Sequence, residues 1–262
     1  MEIIVLIKQV PDTASGIPIS DDGKSINSND IKWVMNPYDE LAVEEALRIK
    51  QKCGGIVTII AVGTKKTVDI IRKGMAMGAD RGVLVDDPDA YNSDALGTAK
   101  IIAALLKKLK YNLIIAGQRA VDYDQYQVGA SVAEFLDIPN VSLVTKVDLK
   151  DNSIICCQSV EGGSLTVEVS LPALITTERG LNEPRFTSMA GIMKAKRKPL
   201  ENQTLKTLNL DPAQFGIKGS KVKVLSLTYP QERKGGKIIE GETASEKAKN
   251  LVKALHEEVK VI

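Results

Sequence analysis

Apolar runs and helical periodicity alternate through the first three-quarters of the chain. Ile3-Ile4-Val5-Leu6-Ile7 is a continuous apolar run, the mark of a strand buried on both faces of a parallel sheet. Residues 17–31 carry Ser20-Asp21-Asp22-Gly23-Lys24, a glycine-containing turn between short β-like segments. Asn36-Pro37 then opens a helix, with Asn36 suited to the N-cap and Pro37 to the first helical position. Leu41, Ala42, Ala46 and Ile49 give that helix an apolar stripe, and Gly54-Gly55 stops it. Strands over 56–62, 83–85 and 112–116 follow, separated by helices over 67–77 and 94–109. Such alternation predicts right-handed crossovers and an open parallel sheet.

After Gly129 a helix through Phe135 leads to three strand-like runs, 141–147, 153–159 and 165–171, the last two joined at Gly162-Gly163. The texture changes near Arg197. Lys194, Lys196, Arg197 and Lys198 cluster, Pro199 ends the preceding helix, and residues 200–241 are polar, with one strand candidate at 222–228 and a flexible segment at Lys234-Gly235-Gly236-Lys237. Thr243-Ala244-Ser245-Glu246 has capping-box spacing for a final helix, whose stripe is Leu251, Val252 and Leu255. The prediction is an α/β protein: an open, mostly parallel Rossmann-like sheet with an antiparallel hairpin over residues 1–198, then an extended C-terminal arm over 199–262. That arm either packs on its own domain or embraces a partner.

Composition narrows the function. A net charge of +2 gives no global basic excess and an aromatic content of 4% no base-stacking platform, so nucleic acid is not an expected partner. No apolar run approaches the roughly 18 residues of a membrane span, and the start lacks the features of a secretory signal. Cys53, Cys156 and Cys157 have neither disulfide-framework nor metal-ligand spacing, and read as reduced packing residues. Adjacent Cys156 and Cys157 should point to opposite faces of a strand. His256 is the only histidine, which excludes a histidine-dependent triad or a multi-histidine metal site. The expected location is cytoplasmic.

In open α/β sheets ligands bind beyond the carboxyl ends of the strands, where the chain order reverses. Three loops fall at such ends: Lys8 to Asp12, Ala61 to Thr64, and the long Gly117-Gln118-Arg119-Ala120-Val121-Asp122-Tyr123-Asp124-Gln125-Tyr126-Gln127-Val128-Gly129. Free N–H groups at a helix N-terminus near Gln127 to Gly129 would suit a phosphate. Asp122 and Asp124 would repel that phosphate, and fit ribose hydroxyls, turns or the helix cap better. No P-loop, G-x-G-x-x-G or nucleophile elbow occurs; Gly74, Gly78 and Gly82 read as helix packing and a turn.

Asn36-Pro37-Tyr38-Asp39 with Ala42-Val43-Glu44-Glu45-Ala46 is similar to the N-P-[FY]-x-x-x-A-V-E-E-A segment of the electron-transfer flavoprotein β-subunit family. Ala76-Met77-Gly78-Ala79-Asp80-Arg81-Gly82 resembles its A-M-G-A-D-R-G turn, and 117–129 its G-K-Q-A-I-D-x-D-x-x-Q-[TV]-G nucleotide loop. Leu181-Asn182-Glu183-Pro184-Arg185-Phe186, continued by Gly191 to Lys198, resembles the L-N-E-P-R-[YF] signature and its I-M-K-A-K-[KR]-K extension.

The resemblance implies an electron carrier rather than a catalyst: a heterodimer whose α subunit holds a redox-active FAD while this chain binds AMP. It implies a nucleotide site of Leu6, Asn36, Pro37, Tyr38, Asp39, Val62 and residues 118 to 129, with Tyr38 near the flavin edge. It also implies a docking loop for acyl-CoA dehydrogenases or similar donors, made by Leu181, Asn182, Glu183, Pro184, Arg185, Met189 and Ile192, with Met189 as the adaptable apolar anchor. The electrons would pass on to another oxidoreductase, and the arm would lie on the α subunit. Lys194, Lys196, Arg197 and Lys198 would steer acidic partners. Bifurcating members carry a second FAD in place of AMP, with D-G-D-T-A-Q-V-G in the loop. Tyr123 and Tyr126 stand against the small residues of that version and favour AMP by pocket size. A stand-alone adenine-nucleotide sensor is the alternative from another class, and leaves residues 181–198 without a purpose.

Overall fold

β1 (Glu2–Leu6) is apolar on both faces because it lies between two helical layers. Ile3 and Val5 enter a cluster with α1 (Pro37–Cys53) and α2 (Val68–Met77), whereas Ile4 and Leu6 enter a second with α3 (Ala95–Leu106) and α4 (Val128–Leu136). The computed structural model describes residues 1–28, 31–231 and 235–261, so Asn29 and Asp30 of the first turn region and Lys234 of the Gly-Gly segment lie outside the described residues.

The parallel strands are β1, β4 (Ile56–Val62), β5 (Arg81–Val85), β6 (Leu113–Gly117), β7 (Asn140–Leu149), β10 (Ala173–Thr177) and β11 (Leu200–Gln203). With β8 (Ser153–Val160) and β9 (Gly163–Ser170), which are antiparallel, they form a nine-stranded sheet in the order β11-β5-β4-β1-β6-β10-β7-β8-β9. The chain first steps from β1 to β4 and β5, then returns to place β6 on the other side of β1. The order therefore reverses between β1 and β6, which is where this architecture opens a crevice.

β2 (Gln9–Pro11) and β3 (Trp33–Met35) form a separate two-stranded antiparallel ribbon. It carries the chain away from the end of β1 and back to the start of α1. The turn expected at 20–24 closes an isolated bridge between Ile19 and Ile26.

Two strands differ from the sequence-based expectation. β10 follows Pro172 and is buried at all five positions, so it shows no alternation that would mark it. The run 222–228 pairs with nothing in the sheet; β11 takes the edge instead, beside β5. The main unit continues through Ser226, and Leu205, Leu208 and Phe215 are buried in the second cluster. Residues 227–262 form a separate unit. Within it, α7 (Ala244–Ala254) starts at the expected capping box of Thr243 and Glu246, and Leu251 and Val252 are exposed. Among the described residues no helix is long and apolar enough to cross a membrane. Cys156 is buried and Cys157 half-buried, as opposite faces of β8 require; burial pushes the Cys156 thiol up to about 12.

Candidate functional site

At the carboxyl end of β1 the backbone leaves the sheet at Lys8, and at the end of β6 it leaves at Gly117. One carboxylate joins them. Asp39, in the first turn of α1, is fully buried; its Oδ2 accepts the Lys8 N–H at 2.7 Å and its Oδ1 the Gly117 N–H at 3.1 Å. Asn36 Nδ2 donates to the same Oδ1 at 2.9 Å. Burial pushes the Asp39 carboxyl up to about 7, against the opposing hydrogen bonds. Gly117 is required here, since a Cβ would lie 2.2 Å from Asp39 Oδ1 and 2.8 Å from Tyr38 Cβ.

Asn36 holds the N-cap position of α1, but its side chain does not cap the helix. It reaches across to the long loop instead. Its Nδ2 donates to the Arg119 carbonyl at 2.8 Å and its Oδ1 accepts the Val121 N–H at 3.2 Å. Pro37 occupies the start of the helix, and Tyr38 is buried behind it. The Thr177 hydroxyl at the end of β10 donates to the Tyr38 carbonyl at 2.9 Å.

The 117–129 loop is tied by charge. Lys8 Nζ pairs with Asp122 at 2.6 Å and lies 4.8 Å from the centroid of the Tyr123 ring. Arg119 Nη1 binds both oxygens of Asp124 at 2.6 and 2.7 Å, and its Nη2 donates to the Tyr38 hydroxyl at 2.8 Å. The same guanidinium stacks near the rings of Tyr38 and Tyr126. Asp122 and Asp124 are thus internally neutralised. Asp124 and Tyr126 adopt left-handed backbone angles of 55° and 57°, uncommon for any residue with a Cβ and least so for aspartate. Tyr123 and Tyr126 are 63% and 48% exposed, each with a cation near its ring.

The loop delivers the chain to α4, which begins at Val128 with no side-chain cap and no acid in its first turn. Gly129 packs against β10, where a Cβ would meet Thr176 Cγ2 at 2.7 Å. Gln118 is buried, and its Oε1 has no hydrogen-bond partner. On the far side of β1, Val62 ends β4, and Gln9 clamps the following turn by bonds with the Lys66 carbonyl and the Thr67 hydroxyl. Leu6, Asn36 to Asp39, Val62 and the 118–129 loop therefore all lie at the carboxyl ends of β1, β4 and β6. Ala120 accepts the Asp124 N–H, Gln127 accepts the Ser131 N–H, and Gln125 is exposed.

The Leu181 to Arg185 segment is anchored to α1 by the two glutamates of Ala42-Val43-Glu44-Glu45-Ala46. Arg185 makes a bidentate pair with Glu44, Nε to Oε2 at 2.7 Å and Nη2 to Oε1 at 2.9 Å, and its N–H adds a third bond. Asn182 donates to Glu45 Oε2 at 3.0 Å and to the Leu41 carbonyl. Burial raises Glu44 but the Arg185 bonds prevail and hold it below its ordinary value; for Glu45 burial wins. Leu181 packs against the first cluster, and Glu183 is exposed beside half-buried Pro184. What remains outward is apolar: Phe186 is wholly exposed, Met189 77%, with Ile192 and Met193 beside them on α5 (Met189–Ala195).

Lys198 differs from its neighbours in the basic cluster. Its ammonium points inward, donating to the Met75 and Ala79 carbonyls, and burial lowers its pKa. It ties the end of α2 and is not available for steering. Three contributors are not singled out as site residues by the sequence: Lys8, which reads only as part of a strand-end loop, Thr177, and Arg179, whose guanidinium lies 5.7 Å from the Tyr38 ring centroid. Lys8 follows β1 and carries that strand-end signal; Thr177 ends β10 and Arg179 follows it, and β10 does not announce itself in the sequence.

The fold and rim define a doubly wound α/β protein whose strand order reverses between β1 and β6. The electron transfer flavoprotein domain family matches residues 24–208. The electron transfer flavoprotein subunit beta of Bacillus subtilis (strain 168) is 38% identical over 268 residues, covering 100% of both chains. The mitochondrial protein of the same name from Arabidopsis thaliana is 40% identical over 243 residues, covering 91% of this chain and 93% of its own. That of Dictyostelium discoideum is 36% identical over 256 residues, 97% of each. The chain belongs to the electron transfer flavoprotein β-subunit family.

Proposed function

We propose that this chain binds AMP at the carboxyl rim and acts as the β subunit of a heterodimer whose α subunit carries FAD. The observation that carries the reading is the reversal of strand order between β1 and β6, with an uncapped α4 N-terminus and a buried Gln118 side-chain amide oxygen that lacks a donor. Free N–H groups at a helix start suit a phosphate. An adenine amine or ribose hydroxyl would supply the donor that Gln118 lacks. Lys8 and Arg119 already neutralise Asp122 and Asp124, so those carboxylates do not oppose an arriving anion. Residues Asn36 to Asp39, Leu6, Val62 and 118 to 129 form the adenylate site, and no side chain among them assembles a nucleophile with a base.

FAD supplies the redox chemistry when bound with the α subunit, and the protein supplies orientation and electrostatics. Glu44 and Glu45 fix Arg185 and Asn182, which leaves Met189, Ile192 and Phe186 turned outward for an acyl-CoA dehydrogenase or a similar donor. A second oxidoreductase accepts the electrons. The exposed stripe of α7 suits an arm lying on the α subunit, and the assembly works in the cytoplasm.

The test is to purify the chain co-expressed with its α subunit, then extract and count bound nucleotides. One FAD and one AMP per heterodimer is the expected result. Two FAD and no AMP would reassign the rim to a second flavin, and a stable, colourless monomer would overturn the reading altogether.

A further inference from the structure

The Asp39 carboxylate sits in an uneconomical place. It is fully buried, and its charge is opposed by desolvation strongly enough to push the carboxyl up to about 7. Lys8 is the charged group whose field reaches it, yet the Lys8 ammonium is drawn to Asp122 at 2.6 Å. The other charged and polar groups around it are committed elsewhere. Arg119 turns to Tyr38 and Asp124, Glu40 on α1 pairs with Lys73, and Thr177 on β10 bonds the Tyr38 carbonyl. What Asp39 does have is backbone: the N–H of Lys8 from the end of β1 and the N–H of Gly117 from the end of β6. Through Asn36, which donates to Asp39 and also bonds Arg119 and Val121, the same carboxylate braces the start of the 117–129 loop.

We propose that Asp39 is a positioning residue for the nucleotide: its carboxylate clasps the two strand ends that bound the switch-point crevice and so sets the width and aim of the site. This rests on the nucleotide reading above. Its physical content is that an acceptor is retained at this point at the expense of the fold. A neutral isostere removes the buried charge, so the fold loses little. The same isostere turns an N–H donor toward either the Lys8 or the Gly117 N–H, so one strand end is released.

Stability and affinity therefore separate in D39N. The full chain in its co-purified complex is compared with D39N and with D80N, a matched loss of a carboxylate at the opposite end of the sheet. AMP affinity is measured by calorimetry, melting temperature by scanning, and amide exchange at Lys8 and Gly117 by mass spectrometry or NMR. D39N should bind AMP about tenfold more weakly, as follows when the released strand end leaves the binding-competent rim populated in about one molecule in ten, with a melting temperature close to that of the parent because the lost hydrogen bond is offset by removal of the buried charge. Exchange at Lys8 or Gly117 should speed up in D39N alone, whether or not nucleotide is present. D80N should keep the parent's AMP affinity. Unchanged AMP affinity in D39N, or unchanged exchange at both amides, would overturn the clasp. So would stability and affinity falling together, since that is what a purely structural carboxylate predicts. If the parent complex binds no AMP, the nucleotide reading fails, and the exchange rates still decide whether the clasp exists.

Discussion

The two ends of the sheet use the same device for different purposes. At the carboxyl rim Asp39 binds two backbone N–H groups and has no cation in contact. At the amino base Asp80, in the Met77-Gly78-Ala79-Asp80 turn, accepts the Val57 N–H at 2.8 Å and takes the Lys50 ammonium on both oxygens at 2.6 and 2.7 Å. Arg81 extends the base by bonding Thr58 and Glu2. The base is therefore a neutralised staple between α1, β4 and the turn before β5. At the rim the buried carboxylate is left without such a partner. A motif that resembles a family signature can mark either kind of place, and the compensation of its charge tells them apart. A cation meets the Asp80 carboxylate, and there the motif holds the base; Asp39 meets only neutral donors, two backbone N–H groups and the Asn36 amide, and it is there that we propose a site.

The largest break of this contrast is Gly117→Ala. The added Cβ would meet Asp39 Oδ1 at 2.2 Å, and both Tyr38 and Asp39 are packed too deeply to yield. Overpacking of this kind costs about 3 kcal/mol. The expected outcome is a large drop in the denaturation midpoint together with loss of bound nucleotide. Retention of both would mean that α1 can slide away from β6, and that the rim is not rigid.

Acid titration gives the next largest effect and separates the two aspartates. The Asp39 carboxyl is raised from 3.8 to about 7 in the folded protein, so the fold favours its protonated form. Its contribution is fully present below about pH 4 and is lost as the pH rises through about 7. Discounted for relaxation of the buried site, the change is on the order of 2 kcal/mol. Stability measured by denaturant at a series of pH values should carry this downward slope in the parent and in D80N. In D39N it should flatten. A parent whose stability is level between pH 4 and 7 would show that the rim carboxylate is better solvated than its burial suggests.

Much of this contrast was legible in the sequence, and the illegible parts have physical reasons. The parallel core could be read because β1, β4 and β6 are short, mostly apolar runs separated by helical periodicity, the pattern of strands covered on both faces. The rim followed from strand ends alone, since any loop leaving the carboxyl end of β1 or β6 meets the switch point. β10 escaped because Pro172 precedes a short run buried on both faces, which has no alternation to announce it. The role of Asn36 escaped for another reason. Asn before Pro reads as a helix cap, and only the fold shows that its amide prefers the loop 83 positions away at the Arg119 carbonyl. Glu44 and Glu45 were visible as a motif, and so was Arg185. Their pairing was not, because a contact spanning 141 positions leaves no local pattern. Lys198 looked like its basic neighbours until its ammonium proved to bond two carbonyls at the end of α2.

The smallest effect, and the one that tests the base, is Asp80→Asn. The amide keeps one oxygen for the Val57 N–H, so the turn into β5 retains its anchor. What is lost is the charge facing Lys50, and both side chains of that pair are about a third exposed. Water and the flexibility of lysine therefore recover most of the energy, as they do for ion pairs near the surface, and the expected loss is about 1 kcal/mol or less. Salt should make the parent and the variant converge, because screening removes the same Coulombic term that the substitution removes. Denaturant midpoints at low and high ionic strength check this directly. A loss that persists in high salt would mean that Asp80 is held by geometry rather than by charge, and the two ends of the sheet would then differ less in kind than in depth.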